Sequence, residues 1–220
     1  MPVERVHPDV LQKLLDDNNV DVAPLRPKMV ATRSGEYIKF FYDQPGLHWS
    51  SFYPKAKRFT DNAHALLKFG FVAPRITRLA HCPEEMAWFI VYKRLPGDDV
   101  RELADSSNLK QMANFLAHLH QKGIYFRGIH LGNVLVTENT YSLIDFAGMT
   151  LWPMPLTIWQ RLRNIGRFVS FPEDIELFKE YGVERFCAEY CDAAELKGWR
   201  RAWLTRAVLA RVREAVKTSG

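Results

Sequence analysis

Between a helical pattern that ends at Gly123 and a pair of short apolar runs, the chain reads Phe126-Arg127-Gly128-Ile129-His130-Leu131-Gly132-Asn133, and beyond the second run comes Leu143-Ile144-Asp145-Phe146. The runs, Val134 to Thr137 and Tyr141 to Ile144, are joined by Glu138-Asn139-Thr140 and read as a β-hairpin. Asn133 therefore stands just before the first strand of the hairpin and Asp145 just after the second. Taken singly, Asn133 could cap a turn and Asp145 could end a strand. Their order and spacing together say more.

The chain has 220 residues, of which 47% are hydrophobic, 25% charged and 13% aromatic, the composition of a folded protein rather than a disordered or fibrous one. That length fits one domain or two tightly joined lobes. The formal charge of +5 suits anionic partners such as phosphates or a membrane surface. No zinc-finger spacing, RNP-like strand or long basic run points to nucleic acid. Cys82, Cys187 and Cys191 contain no CxxC pair, so a disulfide framework or zinc site is not expected. Cys187 and Cys191 fall on one helix face, as buried reduced thiols would. Met1 to Val20 is neither a signal peptide nor an anchor, and no run reaches membrane-span length. The expected location is cytoplasmic, with at most peripheral contact with a membrane.

Lys28 to Ala31 and Tyr37 to Tyr42 flank the polar turn Thr32-Arg33-Ser34-Gly35-Glu36 and read as a hairpin. Lys39 lies inside the second strand, where a lone lysine can simply be the solvent side of the alternation. A helix is predicted from Tyr53 to Phe69, ending at Gly70, then strands over Arg75 to Ala80 and Met86 to Tyr92, the last apolar enough for a buried position. After Leu95-Pro96-Gly97 the pattern turns helical: Leu109 to Gly123, a polar loop, the hairpin, and helices from Pro155 onward. This order predicts an α+β chain of two lobes with a cleft, the small β-rich lobe at 1–92, a hinge at 93–97 and a larger helical lobe at 98–220.

The loop and hairpin resemble the catalytic loop and metal-binding strand of the protein-kinase-like fold, where H-R-D-x-x-x-x-N is followed by D-F-G. Over roughly residues 25 to 170 the chain is similar to the bacterial lipopolysaccharide core kinases that phosphorylate Kdo or heptose, and within them to small toluene-tolerance-type proteins. That resemblance implies ATP and Mg²⁺, with Asn133 and Asp145 as metal ligands and Lys39 on the α- and β-phosphates. It implies Asp61 as the helix acid facing Lys39, and the backbone from Lys93 to Leu95 as the adenine contact. Arg127, His130 and Asp145 are the catalytic residues it implies. The partner would be an inner-core sugar of lipopolysaccharide or an enzyme of core assembly.

The departures from the family pattern are specific. Gly128 stands where the catalytic aspartate belongs, and Phe126-Arg127 replaces His-Arg. Glycine accepts no proton, which weakens a reaction that depends chiefly on positioning and charge stabilisation without excluding it. His130 could orient an acceptor hydroxyl or stabilise transferred charge, or be a loop histidine bonded to the backbone. No G-x-G-x-x-G covers the phosphates, Asp61 is a methylene shorter than the family glutamate, and D-F-G reads Asp145-Phe146-Ala147. A catalytically impaired pseudokinase serving as a nucleotide-binding scaffold is therefore the rival expectation. A small-molecule phosphotransferase of aminoglycoside or choline type ranks behind it.

Two basic segments remain. Lys197 to Arg213 is an amphipathic helix with Trp199 and Trp203, suited either to anionic lipid or to packing Leu204, Val208 and Val212 on the core. Arg161, Arg163 and Arg167 form a cluster where a phosphorylated sugar could dock or where arginines could simply be solvated.

Overall fold

The unbroken apolar run Ala87-Trp88-Phe89-Ile90-Val91-Tyr92 demands a strand covered on both faces, and the computed structural model gives it one. Residues 1–17, 26–43, 53–103, 105–137 and 140–219 are described. The chain divides into two units, Met1–Leu95 and Pro96–Gly220, a boundary inside the 93–97 segment.

The first unit is a five-stranded sheet in the order β1-β4-β5-β3-β2. Its strands are β1 (Glu4–Arg5), β2 (Met29–Ala31), β3 (Glu36–Tyr42), β4 (Ile76–Cys82) and β5 (Ala87–Lys93). β5 pairs antiparallel with β3 from Glu36↔Lys93 to Tyr42↔Ala87 and with β4 on its other side, while β1 joins β4 in parallel. Because side chains alternate along a strand, Ile38 and Phe40 share one face with Phe89 and Val91. There they pack with Val30, Val6 and Leu11, the last from α1 (Pro8–Asp16), a helix that the sequence pattern did not disclose. The opposite face meets α2 (Lys55–Lys68), whose buried Phe59, Ala63 and Leu66 keep a helical period. Phe59 stacks on Tyr92, with centroids 6.0 Å apart.

Near the start of the second unit, Gly97 occupies a position that leaves no room for a side chain. Gly97 has φ +110°, and a Cβ there would lie 2.6 Å from the Val136 carbonyl oxygen. That close approach lets β6 (Asp98–Asp99) pair with β8 (Val134–Thr137), which pairs in turn with β9 (Thr140–Leu143). A second ribbon joins β7 (Ile124–Phe126) to β10 (Met149–Leu151). β7 falls where the sequence pattern shows only a polar loop; its three residues are ordered by β10, not by a local signal.

Five helices complete the unit: α3 (Ser106–Gln121), α4 (Ile158–Val169), α5 (Ile175–Tyr181), α6 (Val183–Ala193) and α7 (Gly198–Ser219). α3 packs on α6 and α4 on α7. α4 begins with a reciprocal capping box between Thr157 and Gln160. Phe168, Phe178 and Phe186 form a buried cluster with centroids 5.1–5.8 Å apart. Leu204, Val208 and Val212 bury the inner face of α7, which is the packing role read from its pattern. Cys187 and Cys191 are buried free thiols on α6, and burial pushes them up to about 12 and about 11. Among the described residues no helix is long and apolar enough to cross a membrane.

One buried polar chain ties these helices together. His120 on α3 shares a hydrogen bond of 2.7 Å with Tyr190 Oη and one of 2.9 Å with Asn164 Oδ1. Asn164 Nδ2 donates to the Phe126 carbonyl, and Arg161 donates to Tyr190 Oη and to the Leu156 carbonyl. An amide oxygen only accepts, so His120 carries its proton on Nε2, and Nδ1 takes the Tyr190 hydroxyl proton. Burial holds its pKa down at about 3, so the imidazole is neutral. Arg161 thus leaves the surface cluster in which its sequence neighbourhood places it: it is 6% exposed and donates to two neutral acceptors.

Candidate functional site

The β8–β9 hairpin decides where Asn133 and Asp145 sit. The Ile144 N–H donates to the Asn133 carbonyl at 3.0 Å, continuing the ladder one step past Val134↔Leu143. Asn133 and Asp145 therefore leave the hairpin at the same end. The Asn133 N–H donates to the His130 carbonyl, closing the 3₁₀ turn Leu131–Asn133. Asn133 Nδ2 donates to the Gly128 carbonyl at 2.9 Å, which leaves Oδ1 with no donor on it among the described residues. Asp145 is exposed and left-handed, with φ 53° and ψ 39°, a conformation that aspartate tolerates better than most residues. Buried Phe146, directly after it, anchors that turn.

An amide oxygen and a carboxylate at one end of a hairpin fit Mg²⁺, which keeps several waters and takes one or two carboxylates plus substrate phosphates. No group of three His, Cys, Asp or Glu residues suited to a metal occurs among the described residues, so a site for a softer metal has no ligand set there.

The loop between β7 and Asn133 is held from a distance. Asp174, directly before α5 and fully buried, accepts from the Leu131 N–H through Oδ2 at 2.8 Å and from Arg101 Nε through Oδ1 at 2.5 Å. Arg101 Nη2 reaches His130 Nδ1 at 3.3 Å, and Phe171 stacks on the imidazole with centroids 4.3 Å apart. Guanidinium only donates, so Nδ1 accepts and the hydrogen belongs on Nε2. Burial first, and then the Arg101 charge, hold the His130 pKa below its ordinary value. His130 is thus a neutral imidazole whose Nε2–H is a donor. Arg101, Phe171 and Asp174 escaped the sequence reading because nothing local marks them; their function is to position a loop more than 40 residues from Asp174.

Arg127, exposed beside Gly128, lines a different part of this unit. It borders a cavity of about 760 Å³ together with Tyr125, Arg163, Arg167 and Arg211.

The remaining candidates belong to the first unit. Lys39 lies on the α2 face of the sheet, half-buried, with Nζ 5.3 Å from the Phe59 centroid and 5.9 Å from that of Phe41. Asp61, on α2, accepts a hydrogen bond of 2.7 Å from Tyr53 Oη. Burial, and then that bond, push the tyrosine up to about 12. Lys93 ends β5 opposite Glu36, and Leu95 is the last residue of the unit.

No protein-family model and no curated protein sequence matches the chain. Among solved structures, WaaP in complex with acyl carrier protein is similar over 84% of this chain and 89% of that one, with a TM-score of 0.52 at 14% identity. Monomeric WbdD gives 0.45 at 23% identity, over 74% of this chain and 43% of its own. The bifunctional kinase-methyltransferase WbdD gives 0.42 at 18%, over 81% and 46%. The likeness to WaaP is one of fold, and it agrees with the two-part, protein-kinase-like α+β order described above.

Proposed function

We propose that the chain acts as one kinase-like domain that transfers the terminal phosphoryl group of ATP to an inner-core sugar of lipopolysaccharide, Kdo or heptose. The observation that carries the proposal is the convergence of Asn133 and Asp145 at one end of the β8–β9 hairpin, with Asn133 Oδ1 left without a donor among the described residues. ATP, when bound, would supply the phosphoryl group, and Mg²⁺ would offset phosphate charge. Asn133 and Asp145 would hold the metal, Lys39 would contact the α- and β-phosphates, and the strand end at Lys93 to Leu95 would take the adenine. The His130 Nε2–H would donate to the phosphoryl oxygens as charge shifts among them. Exposed Met154, Trp159 and Trp199 support peripheral contact with a membrane surface.

A second reading, the pseudokinase scaffold, is favoured by one feature of the same loop. Gly128 has no side chain, and His130 Nδ1 is already accepting from Arg101, so no side chain from Arg127 to Asn133 is poised to take the hydroxyl proton. Loss of a general base costs typically ~10²–10⁴-fold, which separates a slow kinase from a scaffold only by measurement.

The thermal unfolding midpoint with and without Mg-ATP, repeated in EDTA and with Asp145→Ala, tests the proposal. A ligand at ~100 times its dissociation constant stabilises the native state by ~2.7 kcal/mol. The expected result is a Mg²⁺-dependent upward shift that Asp145→Ala abolishes. A shift unchanged by that substitution removes Asp145 from the metal. No shift at millimolar nucleotide favours the scaffold, for which acyl carrier protein, the molecule WaaP is seen with, is the first binding probe.

A further inference from the structure

α4 displays Arg163 and Arg167 one turn apart on its exposed face, and like charges at that spacing repel. Arg127 arrives from the end of β7 and Arg211 from α7, so four arginines from three parts of the chain line one cavity of about 760 Å³. Glu214 is the single carboxylate on its described wall. None of the four arginines is paired with a carboxylate among the described residues. The surface ion pairs that the chain does form, such as Arg78 with Glu4 and Arg201 with Asp192, lie elsewhere.

Gly166 shows that this gathering depends on a specific close approach. A glycine inside a helix weakens it, yet here a Cβ would stand 2.6 Å from Arg211 Cδ. The bare backbone of α4 is what lets the Arg211 side chain lie across it. The Ser170 hydroxyl is committed to the Gly166 carbonyl at 2.6 Å, so it adds no donor. The half-buried Tyr125 hydroxyl has no partner among the described residues and does add one.

We propose that this cavity is a binding site for a phosphate-bearing ligand, held by Arg127, Arg163, Arg167 and Arg211. Guanidinium is planar and bidentate towards phosphate, and a phosphomonoester carries nearly two charges at neutral pH, which four cations against one carboxylate match better than a single carboxylate ligand would. The volume suits a ligand the size of a sugar phosphate. Arg127 adjoins Gly128, whose carbonyl holds the Asn133 side chain, so the site abuts the loop of the candidate metal ligands. Calling the ligand the phosphorylated acceptor of a kinase reaction rests on the function proposed above; the anion site itself rests on the arginines.

Titration calorimetry at low salt without Mg²⁺ or nucleotide separates the two. The probes are glucose 1-phosphate, with glucose as control, and vesicles of phosphatidylcholine with and without phosphatidic acid. Binding is expected to survive in Asp145→Ala and to weaken by about tenfold for each of Arg163→Gln and Arg167→Gln. Gly166→Ala, which removes no charge and favours the helix, is expected to weaken it as well by displacing Arg211. Arginine-dependent binding of glucose 1-phosphate assigns the site to a soluble sugar phosphate. Arginine-dependent binding of the phosphatidic acid vesicles alone assigns it to a lipid-borne phosphate. Binding of neither probe, binding indifferent to both arginine substitutions, or binding lost only in Asp145→Ala overturns the proposal. A chain that still shows the Mg-ATP shift in that event keeps the kinase reading and loses this one.

Discussion

α4 carries two arginine environments within three residues. Arg161 points into a closed network in which Tyr190, Leu156, His120, Asn164 and the Phe126 carbonyl satisfy one another, while Arg163 and Arg167 stand with Arg127 and Arg211 around an open cavity. The residue type is the same and the helix is the same. What differs is whether the protein supplies the partner. A buried cation must find its acceptors within the fold, because an unsatisfied one would be expelled or would unfold its surroundings. An exposed one is solvated and available, so clustering several of them without carboxylates creates affinity for something outside the chain.

The largest effect expected from breaking the closed side is loss of stability. Asn164→Leu leaves His120 Nε2 and the Phe126 carbonyl without partners and is expected to lower the unfolding free energy by about 3 kcal/mol, read from urea denaturation with an unchanged slope. A loss near zero would mean that water or a rotated side chain replaces the amide.

Next comes pH. The His120 pKa is about 3 in the folded protein against an ordinary 6.5, so the unfolded chain binds the extra proton first as pH falls. Its contribution is complete above about 6.5 and is lost as pH drops towards about 3. Over that window stability should decline by up to about 1.4 kcal/mol per pH unit from this group, and His120→Asn should flatten the slope. An unchanged slope in His120→Asn would assign the acid sensitivity to carboxylates instead.

The open side should respond least. Arg163→Gln with Arg167→Gln removes a like-charge pair with no internal carboxylate partner and is expected to leave the unfolding midpoint in phosphate-free buffer unchanged or slightly raised. A clear fall would show that these arginines are structural and would blur the contrast with Arg161.

Local signals in the chain foretell much of this architecture. The alternation around the Thr32–Glu36 turn, the apolar run of β5 and the short runs flanking 138–140 each predict their strands, because strand pairing across a short connection needs only neighbouring residues. The hairpin that brings Asn133 and Asp145 to one end was legible for the same reason. Lys39 was not: alternation puts it opposite Ile38 and Phe40, but only the arrival of α2 covers that face and sets the lysine over Phe59. α1 and β7 were missed because nine and three residues form lasting structure only when the sheet or β10 is there to receive them.

The sequence by itself determined the two-part α+β order, the hairpin with its oxygen donors and a loop without a carboxylate from Arg127 to Asn133, all of which depend on residues close in the chain. Tertiary structure alone decided that Asp174 would hold the Leu131 amide, that His130 would be a neutral donor, that Arg161 would be buried and that Arg211 would join Arg163 across Gly166. Those outcomes depend on which surfaces pack together, and packing pairs groups 29 to 48 positions apart, where no local periodicity reaches.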